Sequence, residues 1–263
     1  LLKVANSAFY NPTEHEINTV SRAVVVVGCD MIRTISLGLA FVEMFQKHHP
    51  EIDLKKIVAH SFIAATQALE IAQSLRHPEP EQVFIAALLH KMGSMAVAYY
   101  LPDEYLQALK LAATAGLSHE AAERKVLGLS FSQVGGAFAK EWKLPPSVVD
   151  SLSTTKIIEE RVHTPQDQLS ILAYLSNRIT DNLFTSGEKG ENLEKLIRDH
   201  RICLDLNPEE SLRLIETSYR KAKEVSGLFG IEVGKFKPAD FERDFSSQTL
   251  RDRLLERLEH VFE

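Results

Sequence analysis

Cysteine and the common catalytic motifs are scarce in this chain of 263 residues. The two cysteines, Cys29 and Cys203, lie far apart without CxxC or CxH spacing, so neither a disulfide framework nor a thiolate metal site is predicted. The sequence also lacks a GxxxxGK(S/T) phosphate loop, a GxGxxG turn, a GxSxG nucleophile elbow and an HExxH zinc helix. The standard signatures of nucleotide-binding folds, serine hydrolases and zinc proteases are therefore excluded.

Excess positive charge and long apolar runs are missing as well. The net charge of −6 argues against a nucleic-acid surface, because such binding rests on lysine and arginine neutralising phosphates. The most apolar region, from Ala23 to Phe45, is interrupted by Asp30, Arg33 and Glu43 and is not expected to span a membrane. We therefore expect a cytoplasmic protein with reduced, buried cysteines that binds neither nucleic acid nor membranes.

Helical periodicity and helix end signals run through nearly the whole chain, and strand patterns are few. Residues Ala23–Val27 have strand propensity, but Asn18 or Thr19 as N-cap and Gly28 as terminator favour a helix. Ser130 and Gln133 form a capping box. The sequence thus predicts an all-α multi-helix bundle, with further helix starts at Asp53, Glu81, Pro102, Ser118, Thr164–Pro165 and Asn207–Pro208.

A polar, glycine-bearing stretch, Thr185–Glu191, divides the chain into two predicted parts. Residues 1–185 form a helical domain, whose N-terminal part is expected to be missing because the chain opens without methionine in an apolar turn of helix. Residues 186–263 form a C-terminal helical extension or connector with two amphipathic helices, each of which needs a partner for its apolar face. Those faces carry Leu212, Ile215, Tyr219, Ala222 and Val225 in the first helix, and Leu250, Leu254, Leu258 and Val261 in the last.

Four segments, taken in their order along the chain, resemble the HDOD family of degenerate relatives of HD-type metal-dependent phosphohydrolases. They are LLKVANSAFY at 1–10, NTVSRAVVVVG at 18–28, FIAALLH at 84–90 and FAKEWKLP at 138–145. The resemblance covers roughly residues 1–185. It implies an HD-like helical bundle and a bacterial signal-transduction or regulatory module.

The resemblance also implies where a metal site would lie. An active HD site takes one histidine from one helix, a His-Asp doublet from the next, and a last aspartate from a later helix. His60 and His90 fit the two histidines, but Lys91 stands at the aspartate of the doublet and Asn177 is aligned with the last aspartate. Further positions where relatives often carry histidine are Phe131 and the stretch 153–155 here.

The substitution of lysine for the carboxylate decides the expectation for a cofactor. Two unit charges 4 Å apart interact by about 4 kcal/mol at an effective dielectric constant near 20. Lysine in place of the carboxylate turns this attraction for a metal ion into repulsion. The two remaining imidazoles fall short of the three protein ligands usual in catalytic zinc sites. We therefore expect no catalytic residue and no cofactor, and any divalent metal would depend on His60 and His90.

Three functions follow from these residues. The first is a non-catalytic protein-interaction scaffold, whose partner is another protein or an adjoining output or receiver domain, with homodimerisation through the C-terminal helix. The second is a metal-dependent phosphohydrolase acting on nucleotides or cyclic dinucleotides. The third is a sensor that binds a small anionic ligand near Lys91 together with His60 and His90. Structural roles remain open beside these: core packing for the histidines, local capping for Asn6-Ser7, and close helix packing for Gly135-Gly136.

Overall fold

The computed structural model describes residues 16–29, 52–152, 164–184 and 208–226, together with a few single positions between 2 and 43. Its regular secondary structure over these residues is helical, which confirms the predicted all-α fold. The helices are α1 (Val20–Val27), α2 (Leu54–Ser74), α3 (Pro80–Leu89), α4 (Met92–Tyr100), α5 (Pro102–Ala115), α6 (His119–Leu127), α7 (Phe131–Glu141), α8 (Pro146–Leu152), α9 (Pro165–Phe184) and α10 (Pro208–Ser226).

The helix starts follow the capping residues of the sequence. Thr19 accepts a hydrogen bond from the Arg22 amide and opens α1, so the helical interpretation of this valine-rich segment is confirmed. Asp53 caps α2 in the same way, and the capping box of Ser130 and Gln133 opens α7. Each of these oxygens satisfies an amide that has no partner within its own helix.

Helix α2 is the centre of the bundle and is buried on every side from Val58 to Ala72. It packs against α3, α4, α9 and α10. Phe62 and Phe84, on α2 and α3, meet edge to face with ring centroids 6.2 Å apart. Because small and apolar side chains dominate its middle, its neighbours can surround it there, and the five polar side chains between Val58 and Ala72 are buried.

The chain turns at His90 and Lys91, between α3 and α4. The stretch Pro80–Tyr100 is long and apolar enough to cross a membrane by length and composition, but 72% of its most apolar window is buried inside the bundle. Sequence periodicity indicated the end of the first helix at His90 but did not identify α4 as a separate element. This turn places His90 at the end of α3 and Lys91 at the start of α4.

Helix α10, from the predicted C-terminal extension, packs on α2. Its predicted apolar face is confirmed at Leu212, Ile215, Tyr219 and Ala222, which are all fully buried in the same core as α2 and α9. The Val225 side chain and the predicted last helix lie outside the described part of the chain. The expectation of buried thiols is wrong for Cys29, which is exposed at the end of α1, and Cys203 lies outside the described residues.

Candidate functional site

Two charged side chains meet beside the turn between α3 and α4. Lys91 Nζ donates a hydrogen bond to Asp181 Oδ1 on α9 and forms an ion pair with it. The side chains of Lys91 and Asp181 are 18% and 32% exposed, so water reaches the pair only from one side. His60 Nδ1, on α2, lies 3.8 Å from the same carboxylate oxygen, which is an electrostatic contact rather than a hydrogen bond.

The surroundings fix the charge of each group. Burial raises the pKa of Asp181, but the Lys91 ammonium and the contact with His60 outweigh burial and hold that pKa well below its usual range. Burial lowers the pKa of His60, although contact with the Asp181 carboxylate opposes this shift in part. Burial, followed by the charge of Lys91, lowers the pKa of His90 to about 4. At neutral pH the cluster therefore contains one ion pair and two neutral imidazoles.

Acid is expected to destabilise the fold through His90. The unfolded chain protonates this histidine below about pH 6.5, whereas the folded chain does so only near pH 4. Unfolding therefore takes up a proton across this window, and the free energy of unfolding should fall by up to about 3 kcal/mol as the pH drops from 6.5 to 4. Urea unfolding at stepwise pH measures this slope.

Two variants separate His90 from the other histidines. His90→Phe should reduce the slope between pH 6.5 and 4 without abolishing it, because it removes one of two buried histidines whose pKa is lowered in the folded state, and His60 remains. His119→Ala, at an exposed position at the start of α6, should keep the slope. An unchanged slope in His90→Phe would show that His90 is not buried in its neutral form.

Asn177 is buried at the contact between α9 and α3. Its side-chain amide donates to the carbonyl of Ala87, at 2.8 Å, and to that of Ala173, at 2.9 Å. Ala87 lies in the last turn of α3, and its carbonyl also accepts a long hydrogen bond, of 3.4 Å, from the His90 amide. Asn177 thus satisfies the end of α3 from a neighbouring helix, and the carboxylate of the cluster comes from Asp181, one turn further along α9.

Asn177→Asp should therefore destabilise the protein although the two side chains have the same shape. A carboxylate cannot donate to the Ala87 and Ala173 carbonyls, and it brings a negative charge to the negative end of the α3 dipole. We expect a loss of about 2–4 kcal/mol at pH 7 by chemical denaturation, because a buried charge is left without a partner. Asn177→Leu, which removes the bonds without adding charge, should lose less, and equal losses would contradict this role.

Other residues singled out in the sequence have structural partners. Asn6 donates to the Leu2 carbonyl at 3.0 Å and to the Ile17 carbonyl at 2.8 Å, and it accepts from the Ile17 amide at 2.7 Å, so its role is structural and extends beyond a local cap. Phe131 stacks on Tyr105 with ring centroids 5.6 Å apart, at the start of α7. A Cβ on Gly135 would lie 3.0 Å from the Gly93 amide nitrogen, which confirms close helix packing there. The stretch 153–155 lies outside the described residues.

The side chains at this site do not fit a divalent metal ion. An ammonium group, not a ligand, lies on the Asp181 carboxylate that a metal would need, and a metal would have to displace it. Within the described ranges, no three histidine, cysteine, aspartate or glutamate side chains form a cluster able to hold a metal ion. His60 and His90 contribute neutral imidazoles only, so the donor set lacks the charge that hard or borderline cations favour.

The all-α bundle is the fold that the resemblance to HDOD domains implies. The HDOD domain model matches residues 1–157, which is more than half of the chain. The chain belongs to the HDOD family. No curated protein matches the sequence.

Solved structures share the fold at low sequence identity. An HDOD domain protein of unknown function from Geobacter sulfurreducens has a TM-score of 0.62 at 21% identity, over 98% of this chain and 76% of that one. A protein provisionally named a phosphohydrolase, from Shewanella amazonensis SB2B, has a TM-score of 0.62 at 18% identity, over 88% and 81%. The response regulator MmoQ from Methylococcus capsulatus has a TM-score of 0.52 at 22% identity, over 81% and 82%. At these identities the structures show that the chain shares the fold of these proteins.

Proposed function

We propose that this chain is a non-catalytic bacterial signal-transduction module that works as a protein-interaction scaffold. The observation that carries the proposal is the ion pair between Lys91 and Asp181. The lysine supplies a positive charge from the chain itself at the carboxylate where an HD enzyme would hold a metal ion. The charge of the Asp181 carboxylate is then balanced without a cofactor.

The alternative of a metal-dependent phosphohydrolase has less support. Hydrolysis by such enzymes depends on a metal that lowers the pKa of bound water and polarises the phosphoryl oxygen. At this site the metal would have to compete with Lys91 for Asp181, and two neutral histidines would be its remaining ligands. The Shewanella protein shares the fold, and at 18% identity its provisional name carries no activity over to this chain.

The alternative of an anion sensor at Lys91 is weakened by the same contact. An anion would be attracted by an unpaired ammonium, but Asp181 already neutralises Lys91 and would repel a second negative group. A titration with inorganic phosphate, followed by NMR of the lysine side chains, should show no saturable shift of Lys91. A saturable shift would favour the sensor over the scaffold.

Metal content and turnover of the purified protein test the proposal directly. After equilibration with manganese, iron or zinc and removal of free metal, we expect no stoichiometric metal by mass spectrometry. No metal-dependent hydrolysis of a phosphodiester or a cyclic dinucleotide is expected either. Stoichiometric metal that is lost in His60→Ala or His90→Ala, together with turnover, would overturn the proposal. Metal bound equally by those variants would point to a site elsewhere on the chain.

The proposal extends to the partner and the compartment. We place the module in the cytoplasm, bound to a partner protein or to an adjoining output or receiver domain, with pairing through the C-terminal helix as the route to a homodimer. The burial of the long apolar stretch 80–100 inside the bundle supports a location away from the membrane.

A further inference from the structure

His77 lies in the turn between α2 and α3, at the end of α2 opposite to His60, and only 6% of it is exposed. Its Nδ1 lies 3.1 Å from the Glu79 amide nitrogen, and its Nε2 lies 2.9 Å from the carbonyl oxygen of Pro165, at the start of α9. A backbone amide only donates and a carbonyl only accepts, so the imidazole carries its proton on Nε2 and has none on Nδ1. His77 therefore makes both contacts only in its neutral form.

The backbone of this turn leaves His77 few other partners. The residues on either side of Glu79 are prolines, which have no amide hydrogen, so Glu79 supplies the only backbone donor between His77 and α3. Arg76, just before His77, has a φ of 54°, in the left-handed region that residues with a Cβ adopt rarely. The turn is thus held in a strained conformation in which the imidazole reaches the Glu79 amide and α9 together.

Side chains connect the same turn to α8 and close a ring of hydrogen bonds. Gln82 Nε2 donates to Glu79 Oε1 at 2.7 Å, and Gln82 Oε1 accepts from the Ser147 hydroxyl group at 2.5 Å. Gln166, on α9, donates to the Ser147 carbonyl at 3.0 Å. With the two contacts of His77, these bonds join the starts of α3, α8 and α9. We call this set the polar ring, and its members are His77, Glu79, Gln82, Ser147, Pro165 and Gln166.

We propose that the polar ring is a proton-sensitive switch: neutral His77 holds the starts of α3, α8 and α9 together, and protonation of His77 opens the ring. Protonation places a hydrogen on Nδ1, which then faces the Glu79 amide hydrogen instead of accepting it. That bond is lost, and the turn has to shift to give the imidazolium an acceptor. The inference goes beyond the proposed function, because it does not depend on whether the cluster at Lys91 binds metal.

Other titratable groups come from each element that meets at this end of the bundle. The charged side chains of these described elements are Arg76, Glu79, Glu81, Lys143, Asp150 and Asp167. The Glu79 carboxylate accepts from Gln82, and the Asp167 carboxylate accepts from the Thr164 hydroxyl group at 2.6 Å. Histidine commonly changes charge between about pH 5 and 8, whereas carboxyl groups ordinarily take up protons below about pH 5. A response above pH 5 is therefore expected to follow His77.

NMR of the full chain between pH 8 and pH 5 provides the measurement. At pH 8 the ring nitrogen spectrum should show His77 protonated on Nε2 alone. As His77 titrates, the exchange protection of the Glu79, Val149 and Gln168 amides, which are bonded in the ring or in the first turns of α8 and α9, should fall with the same midpoint. We expect a fall of about 3- to 10-fold, the factor that one net hydrogen bond contributes. After correction for intrinsic exchange, it should exceed the fall in α5 and α6.

Three variants separate the imidazole from its neighbours. His77→Gln is the matched control, because its amide can accept from Glu79 and donate to Pro165 without titrating, so protection should stay high at both pH values. His77→Ala, which removes both contacts, should give low protection at both. Glu79→Gln keeps an oxygen that accepts from Gln82, and it should retain the response to pH.

The inference is overturned if His77 is protonated on Nδ1 at pH 8, if protection does not change while His77 titrates, or if His77 stays neutral until the whole chain unfolds. These three tests use the wild-type chain and decide the matter even if a variant does not fold. A response that persists in His77→Gln, or one that is lost in Glu79→Gln, contradicts it as well. Metal content and turnover decide the proposed function separately.

Discussion

Gly93→Ala is expected to destabilise the protein by about 3 kcal/mol or more, because the added methyl group has no space. A Cβ on Gly93 would overlap the backbone carbonyl of Phe131 and lie 2.6 Å from the amide nitrogen of Gly135. Both atoms belong to the backbone of α7, so no side-chain rotation can relieve the overlap. The first turn of α4 and the first turns of α7 would have to separate.

A graded series of glycine variants isolates this effect. In Gly135→Ala the new Cβ would lie 3.0 Å from the Gly93 nitrogen, so the helices need to give by only a few tenths of an ångström and the loss should be smaller. In Gly128→Ala nothing lies within 4 Å, but the backbone has a φ of 77°, and the strain should cost about 1–2 kcal/mol. Urea unfolding should rank the losses with Gly93→Ala highest, and a loss at Gly93 no larger than at Gly128 would contradict the close packing.

The same substitution should disturb the candidate site. Gly93 follows Lys91 by two residues, and α4 begins between them at Met92. If α4 is displaced from α7, the turn that carries Lys91 moves with it, whereas Asp181 stays on α9. The close approach of two backbones thus helps to fix the position of the lysine relative to its carboxylate.

Helix starts were predictable from the sequence because each depends on local chemistry. The oxygens of Thr19, Asp53 and Ser130 each accept from the amide three residues later, so nothing distant is needed to recognise them. The break between α3 and α4 was not predictable in this way. The chain is apolar and helix-compatible on both sides of His90, and the turn depends on packing against α9 and α7.

The residue of α9 that contacts Lys91 was not predictable from the sequence either. Asn177 and Asp181 are four residues apart on α9 and therefore lie on the same side of the helix. The sequence cannot tell which of them reaches the turn at Lys91, because that depends on how far α9 slides along α3. The carboxylate of Asp181 could have identified it as the residue that contacts Lys91, because a partly buried lysine needs an anionic partner.

Lys91→Asp is the second large effect expected, since this single substitution would complete the ligand set of an HD site. The substitution replaces the ammonium with a carboxylate beside His90, near His60 and Asp181, which we propose as the remaining ligands in place of the aligned Asn177. Without metal, two carboxylates would face each other, and the variant should be less stable than the wild type. With manganese or zinc at about 100 times the dissociation constant, binding should return about 2.7 kcal/mol of stability.

Controls show whether Asp181 is the fourth ligand. Lys91→Met removes the cation without supplying a ligand and should show no metal-dependent rise in melting temperature. Adding Asp181→Asn to Lys91→Asp should abolish the response to metal. Adding Asn177→Asp instead should not strengthen the response and should lower stability, because Asn177 bonds two carbonyls of the bundle. Calorimetric titration of the refolded variants gives the affinity and the stoichiometry.

The outcome bears on the proposal that this chain is not catalytic. If Lys91→Asp binds one metal ion and Asp181→Asn removes it, the lysine alone keeps metal from a site whose other ligands remain in place. If Lys91→Asp binds none, the histidines and Asp181 are no longer arranged as ligands, and the ion pair serves the packing of α9 against the turn. Both results are compatible with a scaffold, but only the first makes Lys91 the residue that separates binding from hydrolysis in this bundle.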